Sequence, residues 1–385
     1  MAQLASSNHE QERRAVERTI EAFRSYAESS ELELERRRRN LRALEASSKK
    51  DAMATVDRVR EVYARNERLA RRCVEKNQLF FNQMVAAFER EVEEEGGGAV
   101  PQHLRVEKKR ETKGAEGMRE ASRASSSSFQ THRLPLPKDA EKARYVLRNL
   151  VRDWSEEGSE ERVQSHKVLC EHLEERFQEA LKKAKGERFA SAAEAAEAAA
   201  EPPRVLVPGA GLGRLVYELA KIGFETEGNE FSYYMLFAAS FVLNCCDEQQ
   251  PFRIAPYWHT PLNHASFENQ YREVIVPDES PGANAHKFTC GSMAMCAGDF
   301  VEVYGAKEYE NAFDAVACCF FLDTAKNIIE YLETIKSCLR KNGTFCSIGP
   351  LLWHWVEHTE NDFCEASRSH LVSRATPYND ENKRI

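Results

Sequence analysis

The stretch VLVPGAGLGRL, residues 205–215, constrains the fold more than any other part of the chain. A β-branched apolar run meets glycines at every second position, Gly209, Gly211 and Gly213, and an apolar-periodic segment follows at once. A strand that turns through glycines into a helix opens a strand–helix–strand unit. The alternation continues downstream. RVLVPG predicts a strand and GRLVYELAKIG a helix; FETEGNE predicts a strand and FSYYMLFAASFVLNCC a helix. FDAVACCFFLD then reads as a strand, NIIEYLETIKSCLRKNG as a helix with a turn, and TFCSIGPLL as a strand. The pattern predicts the α/β class: a doubly wound, mostly parallel, Rossmann-like sheet with helices on both faces. In such a sheet a ligand lies at the carboxyl ends of the strands.

The part before the sheet is different. Residues 10–94 read as an N-terminal helical region of two to four helices. Val16, Ile20 and Phe23 recur at helical spacing, as do Val56, Val59, Val62 and Tyr63, then Leu79, Phe80, Met84, Val85 and Phe88. Between them lies ELELERRRRNLRALE, where interleaved Glu and Arg suit a solvated helix face better than a nucleic-acid patch. The formal net charge of −8 gives no general case for nucleic-acid binding either. Residues 95–133, from EEEGGGAVPQ to SRASSSSFQ, read as a disordered linker, with KKR at 108–110 a weak candidate for a nuclear import signal. Residues 134–201 supply helices leading into the sheet, plus an Ala/Glu-rich insertion that Pro202-Pro203 ends. Residues 204–355 form the sheet domain and 356–385 a polar tail without strand period.

Nothing in the chain reads as a membrane span, because no uninterrupted apolar run approaches about 18 residues. The opening MAQLASSNHEQERR lacks the apolar core of a signal peptide. Eleven cysteines with no CxxC pair predict reduced, mostly buried thiols and no structural zinc. A cytoplasmic or nuclear location is the expectation that follows.

The glycine turn narrows the ligand. Its spacing is GxGxG, where dinucleotide-binding turns carry GxGxxG and aim a helix N-terminus at a pyrophosphate. S-adenosylmethionine has no such anionic group, and GxGxG after a strand is its usual turn. Glu230 ends the second strand about 20 residues beyond Gly209, where a carboxylate can accept from both ribose hydroxyls. The plainer alternative is that Glu230 caps the helix FSYYMLF. Asp299 in CAGDF can accept from an adenine amino group with Phe300 stacked nearby, or can be an ordinary turn aspartate. Cys318 and Cys319 lie in the FDAVACCFFLD strand, where core packing is the commoner role.

Six segments together resemble one family: RDWSEEG (152–158), LVPGAGLGRL (206–215), GNEFSYYML (228–236), AGDF (297–300), CFFLDTAKNIIEY (319–331) and IGPLLWHW (348–355). They look like the carnosine N-methyltransferases, which methylate the histidine imidazole of β-alanyl-histidine to give anserine. IEAFRSY and CVEKNQLFF resemble that family's helical region. The resemblance implies a cofactor site from Arg152, Gly209, Gly211, Glu230, Asp299, Phe300 and Cys319, with Asn149 standing where relatives carry Gln. A guanidinium such as that of Arg152 can grip a methionine carboxylate bidentately. On the substrate side it implies Asp323, holding an imidazole N–H, and His354, contacting the dipeptide. Asp323 has a plainer role open to it, as cap of a helix beginning TAKNIIEY.

After IGPLL the resemblance weakens. The ending WVEHTENDFCEASRSHLVSRATPYNDENKRI reads as a truncated or read-through tail, leaving a sheet that lacks its last two strands. That puts the activity of this chain in question. Other expectations stand beside the first: a methyltransferase for protein histidine or another nitrogen, a non-catalytic adenosylmethionine-binding protein, and, more distantly, a nicotinamide oxidoreductase. The expected partners are a small dipeptide and, through the N-terminal helices, a second copy in a homodimer; neither membrane nor nucleic acid is expected.

Overall fold

A computed structural model of the chain describes residues 2–47, 53–94, 137–186, 201–246, 251–260, 264–284, 288 and 290–354. Five parallel strands make the central sheet: β1 (Arg204–Pro208), β2 (Glu225–Glu230), β5 (Ser292–Ala297), β6 (Phe313–Cys319) and β7 (Leu339–Ile348). Their order is β5-β2-β1-β6-β7. The order reverses between β1 and β6, so the carboxyl ends of those two strands flank the switch-point crevice. The α/β, parallel, doubly wound reading is what the chain adopts.

Beyond Arg204 and Asp314, the central strands β1 and β6 are apolar because both faces are covered. On β1, Val205 and Val207 join one buried cluster and Leu206 the opposite one. On β6, Ala315 and Ala317 face the first cluster, Val316 and Cys318 the second. The first layer is built by α6 (His166–Ala184) and α7 (Arg214–Ile222), through Leu169, Leu173, Leu215 and Leu219. The second is built by α11 (Phe300–Tyr304) and α12 (Ile328–Cys338), through Phe300, Tyr304, Ile328 and Ile335. The period of two along each strand thus divides one apolar run between two helix layers.

The N-terminal region consists of α1 (Ala2–Arg24), α2 (Tyr26–Ser47) and α3 (Met53–Glu94). These helices share a core with α4 (Pro137–Trp154) and α8 (Tyr233–Ser240). Phe81 stacks on Phe23 at 4.8 Å and lies 5.0 Å from Tyr26, while Phe88 stacks on Phe237 of α8 at 3.9 Å. A polar knot closes the contact. Asn77 donates to Tyr26 Oη and to the Ala255 carbonyl and accepts from the Ala255 N–H, and Trp258 Nε1 donates to Tyr26 Oη. The arginine run is a solvated, paired face: Arg36 and Arg37 bond Glu33, while Arg38 bonds Glu35 and Glu67.

Several elements differ from the sequence reading. The strand SMAMCA, β5, was not expected; it is an edge strand of small and sulfur-bearing residues with weak strand preference. A two-stranded hairpin, β3 (Phe252–Ile254) with β4 (Val274–Val276), also went unread. The helix over VQSHKVLCEHLEERFQEALKKA breaks at Ser165, giving α5 (Ser159–Gln164) and α6. The helix FSYYMLFAASFVLNCC ends in a π turn over Phe241–Cys245. LRKNG belongs to β7, which starts directly after Cys338. The linker at 95–133, most of the Ala/Glu insertion and the tail at 356–385 lie outside the described residues, and the expectation that the sheet lacks its last two strands falls on that tail. Among the described residues no helix is long and apolar enough to cross a membrane, and no group of His, Cys, Asp and Glu has the makings of a metal site.

Because Phe80 is buried and its ring meets Phe241 and Phe252 of the sheet domain as well as Phe81 of its own helix, Phe80→Ala should lower unfolding stability by ~3–5 kcal/mol. A urea titration following the sheet's signal checks this. An unmoved midpoint would mean that the helices and the sheet unfold separately.

Candidate active site

The glycine turn after β1 is tied to the tip of β2. The Gly211 N–H donates to Glu230 Oε2 at 2.9 Å and the Ser232 N–H to Glu230 Oε1 at 2.8 Å. The Ala210 N–H donates to the Asn229 carbonyl, and the Gly298 N–H to the Glu230 carbonyl. The turns after β1, β2 and β5 are therefore one hydrogen-bonded assembly. Gly209 has φ +65°, and a Cβ there would lie 2.4 Å from the Phe321 ring, so only glycine fits. A Cβ at Gly211 would meet nothing closer than 3.9 Å, which leaves the turn's outer side open. Burial raises the Glu230 carboxyl above its ordinary range, with the N–H groups of Ser232, Gly211 and Phe231 acting the other way. Glu230 thus holds the N–H of Ser232, which itself occupies the cap position of α8, and so braces the approach to that helix without capping it. Each of its oxygens keeps a second lone pair for a ribose hydroxyl.

Arg152, in the last turn of α4, faces the open side of Gly211. Its guanidinium donates twice to Asp153, Nε to Oδ1 at 2.6 Å and Nη2 to Oδ2 at 3.1 Å. The groups nearest a Cβ at Gly211 are Arg152 Nη2 and Asp153 Oδ2. Burial works to raise the Asp153 carboxyl, but the charge of Arg152 and its hydrogen bonds outweigh it and hold the group below the usual carboxylate range. Arg152 also lies over the Phe320 ring at 5.5 Å. Asn149, one turn earlier on α4, is buried and donates its amide back to the Tyr145 carbonyl. Cys319 ends β6; burial pushes its thiol up to about 12 while nearby Arg152 draws it down.

Around the far rim, Asp299 caps α11 by accepting from the N–H groups of Val301 and Glu302 at 2.9 and 3.1 Å. The turn-aspartate role is therefore filled by one oxygen, Oδ1. Phe300 is buried, edge-on to Phe321 and Tyr331 at 5.4 Å. It underlies the rim and offers no exposed face. After β6 the backbone turns through Phe320 in the left-handed region, φ +55°, with its N–H on the Ile348 carbonyl. A bulky residue in that region is strained, and such strain concentrates at functional sites.

The same turn delivers Asp323. It is buried, and its Oδ2 accepts from the Leu352 N–H at 3.0 Å while its carbonyl accepts from the His354 N–H at 3.1 Å. The helix that follows starts at Ile328, and Asn327 is the residue that caps it, accepting from Ile329. Capping by Asp323 is thus corrected: its carboxylate holds the segment after β7. His354 is placed beside Asp323 through its main chain, with its side chain exposed.

The sequence reading passed over the polar groups behind the site. Asp153, Arg162, Arg214 and Asp278 were not singled out, although the alternating charges of RDWSEEGSEER sit in an apolar helix. His166 was missed too. It is buried with no partner for Nδ1 among the described residues. Burial lowers its imidazole to about 4, against the upward pull of Asp153. Between about pH 6.5 and 4 the unfolded chain takes a proton that folded His166 refuses, so this group makes stability fall as pH falls through that window. Asp153, held below its ordinary value, adds slope only toward the acid end of that window, where the unfolded carboxyl starts to take protons. His166→Gln should flatten the pH dependence of the urea midpoint between pH 6.5 and 4.5. Equal slopes for the two proteins would contradict a neutral, buried His166.

Comparisons with known proteins bear on this site. The family described as "Carnosine N-methyltransferase" matches residues 129–382, well over half of the chain. The carnosine N-methyltransferase of Schizosaccharomyces pombe is 38% identical over 237 residues, 60% of this chain and 58% of that one. That of Mus musculus is 38% identical over 220 residues, 56% of this chain and 49% of that one. The chain spans about half the length of the curated relatives it matches. Among solved structures, an arsenic(III) S-adenosylmethionine methyltransferase from Chlamydomonas reinhardtii overlaps 38% of each chain at 18% identity, with a TM-score of 0.26. With a family match that runs through the glycine turn, Glu230, Asp299 and Asp323, the chain belongs to the carnosine N-methyltransferase family.

Proposed function

We propose that the chain is an S-adenosylmethionine-dependent N-methyltransferase that methylates the histidine imidazole of carnosine to give anserine. The observation that carries this reading is the contact of three elements at one point. The glycine turn of β1 is held by Glu230 of β2 and opens directly onto the Arg152–Asp153 pair of α4. Open space beside Gly211, acceptor capacity left on Glu230 and Asp299, and a guanidinium at the opposite end match a nucleoside joined to an amino acid. When bound, adenosylmethionine supplies an electrophilic methyl group. Glu230 would hold the ribose, Asp299 the adenine amino group, and the edge of Arg152 not taken by Asp153 the carboxylate.

On the acceptor side, Asp323 sits at the next strand end, and the Leu352 N–H fixes its carboxylate in place. One accepted bond leaves lone pairs for an imidazole N–H. Holding that N–H fixes the tautomer and turns the other nitrogen's lone pair toward the methyl group. A neutral imidazole is already nucleophilic near pH 7, its ordinary pKa being about 6.5. Asp323 then stabilises the positive charge gained on alkylation, and the N–H proton is given up to leave a neutral methylimidazole. Most of the acceleration comes from alignment, which contributes up to ~7–11 kcal/mol. His354, exposed beside Asp323, would meet the dipeptide. Unpaired thiols among the described cysteines support a reducing compartment, the cytoplasm or nucleus.

The test uses labelled adenosylmethionine with carnosine, then with free histidine or a protein extract. Label should appear on carnosine. Asp323→Asn should cut transfer about 100-fold or more, the scale of a misplaced reactant, while calorimetry shows adenosylhomocysteine binding within a factor of about three of the parent. Label on protein alone, or parental transfer by the variant, would overturn the acceptor assignment.

A further inference from the structure

The carboxyl end of α4, which carries Arg152, is finished in an unusual way. The last carbonyls of a helix have no partner within it. Here Val151's carbonyl takes the Ser155 hydroxyl, and the last three take donors from three different elements. Arg162 Nη1 of α5 donates to the Arg152 carbonyl at 2.7 Å and the Ser155 carbonyl at 2.8 Å. Arg214 Nη1, the first residue of α7, donates to the Asp153 carbonyl at 3.1 Å. The Asp278 N–H donates to the Trp154 carbonyl at 3.0 Å. Gly158 packs so tightly beneath this end that a Cβ there would lie 2.2 Å from the Arg152 carbonyl oxygen.

The two arginines are joined by one carboxylate. Asp278 Oδ2 accepts from Arg162 Nη2 and Asp278 Oδ1 from Arg214 Nη1, each at 2.6 Å. Both arginines are buried, at 9% and 6% exposure. A buried charge set of this kind is a weak source of stability, since desolvation offsets its attraction. What it gains is geometry. Two cations at a helix C-terminus also suit the helix dipole. Trp154 Nε1 completes the brace by donating to the Leu212 carbonyl inside the glycine turn, at 3.0 Å.

We infer that Arg162, Asp278 and Arg214 form a positioning clamp that fixes Arg152 against the glycine turn, so that affinity for the cofactor's amino-acid carboxylate depends on residues that never touch it. The inference rests on the cofactor assignment above. Asp278 is the keystone: it links α5, α7 and the last carbonyls of α4, while Arg214 also pairs with Glu218 and Glu279. Without its charge Arg162 and Arg214 repel, and the last turn of α4 loses its register relative to Gly211.

Calorimetry with two ligands tests this. Adenosylhomocysteine carries the amino-acid carboxylate; methylthioadenosine keeps the nucleoside and lacks it. Asp278→Asn should weaken adenosylhomocysteine about 10-fold or more and leave methylthioadenosine within a factor of about two. Arg152→Ala should show the same selective loss, and the double variant should be no worse than Arg152→Ala alone. Arg162→Lys, which keeps the charge and loses the two-carbonyl reach, guards against a simple folding failure: it should show a smaller loss of the same selectivity, with a melting temperature close to the parent's. Equal weakening of both ligands by the folded variants, or no weakening of either, overturns the clamp. Failure of the parent to bind either ligand instead overturns the cofactor assignment.

Discussion

One residue, Glu230, joins the three strand-end turns on which the site is built. Glu230 takes the Gly211 N–H through its side chain and the Gly298 N–H through its carbonyl. The turns after β1, β2 and β5 therefore cannot drift apart. A parallel sheet offers no such coupling by itself, because its turns emerge separately and face water. The open side of the glycine turn is a fixed shape only because this bond holds it. Every other site residue is placed relative to that shape: Arg152 across from Gly211, Asp299 below Gly298, and Phe321 packed against Gly209.

Polar groups behind the site serve placement more than stability. Asp153 engages two donors of Arg152 and so selects which edge of the guanidinium faces outward. Asp278 and its two arginines stop α4 at Trp154 by meeting its carbonyls from outside. The same device appears at a distance in the Tyr26–Asn77–Trp258 knot, where one asparagine pairs with both main-chain groups of Ala255. Fully satisfied buried networks of this sort specify a single arrangement. They make the N-terminal helices part of the sheet domain's own core, which gives α4 a firm back wall.

Much of this was legible in advance. The glycine spacing, the run of β-branched residues before it and the position of Glu230 announced a parallel sheet and its ligand edge. Asp299 and Asp323 were visible as carboxylates at strand ends. What escaped notice has a common cause. β5 is an edge strand whose SMAMCA alternation carries almost no hydrophobic contrast. The β3–β4 hairpin has strands of only three residues. Arg162 and Arg214 were not singled out, because the carboxylate that joins them, Asp278, lies 116 and 64 residues away along the chain. The role of Asp323 was open for a similar reason: only the fold shows that Asn327 caps α12 and that Asp323 reaches Leu352.

The order of apolar and polar residues determined by itself that strands would alternate with helices, that both sheet faces would be covered, and that glycines would turn the chain at a carboxyl end. These are local matters, set by side-chain period and backbone freedom over a few neighbouring residues. Which carboxylate serves which donor was decided only by tertiary structure. Asp153 and Asp278 lie more than a hundred residues apart in sequence, and Asp278 meets Arg162 and Arg214 only once α5 and α7 pack against the end of α4, where the buried guanidinium groups need a fixed acceptor in place of water.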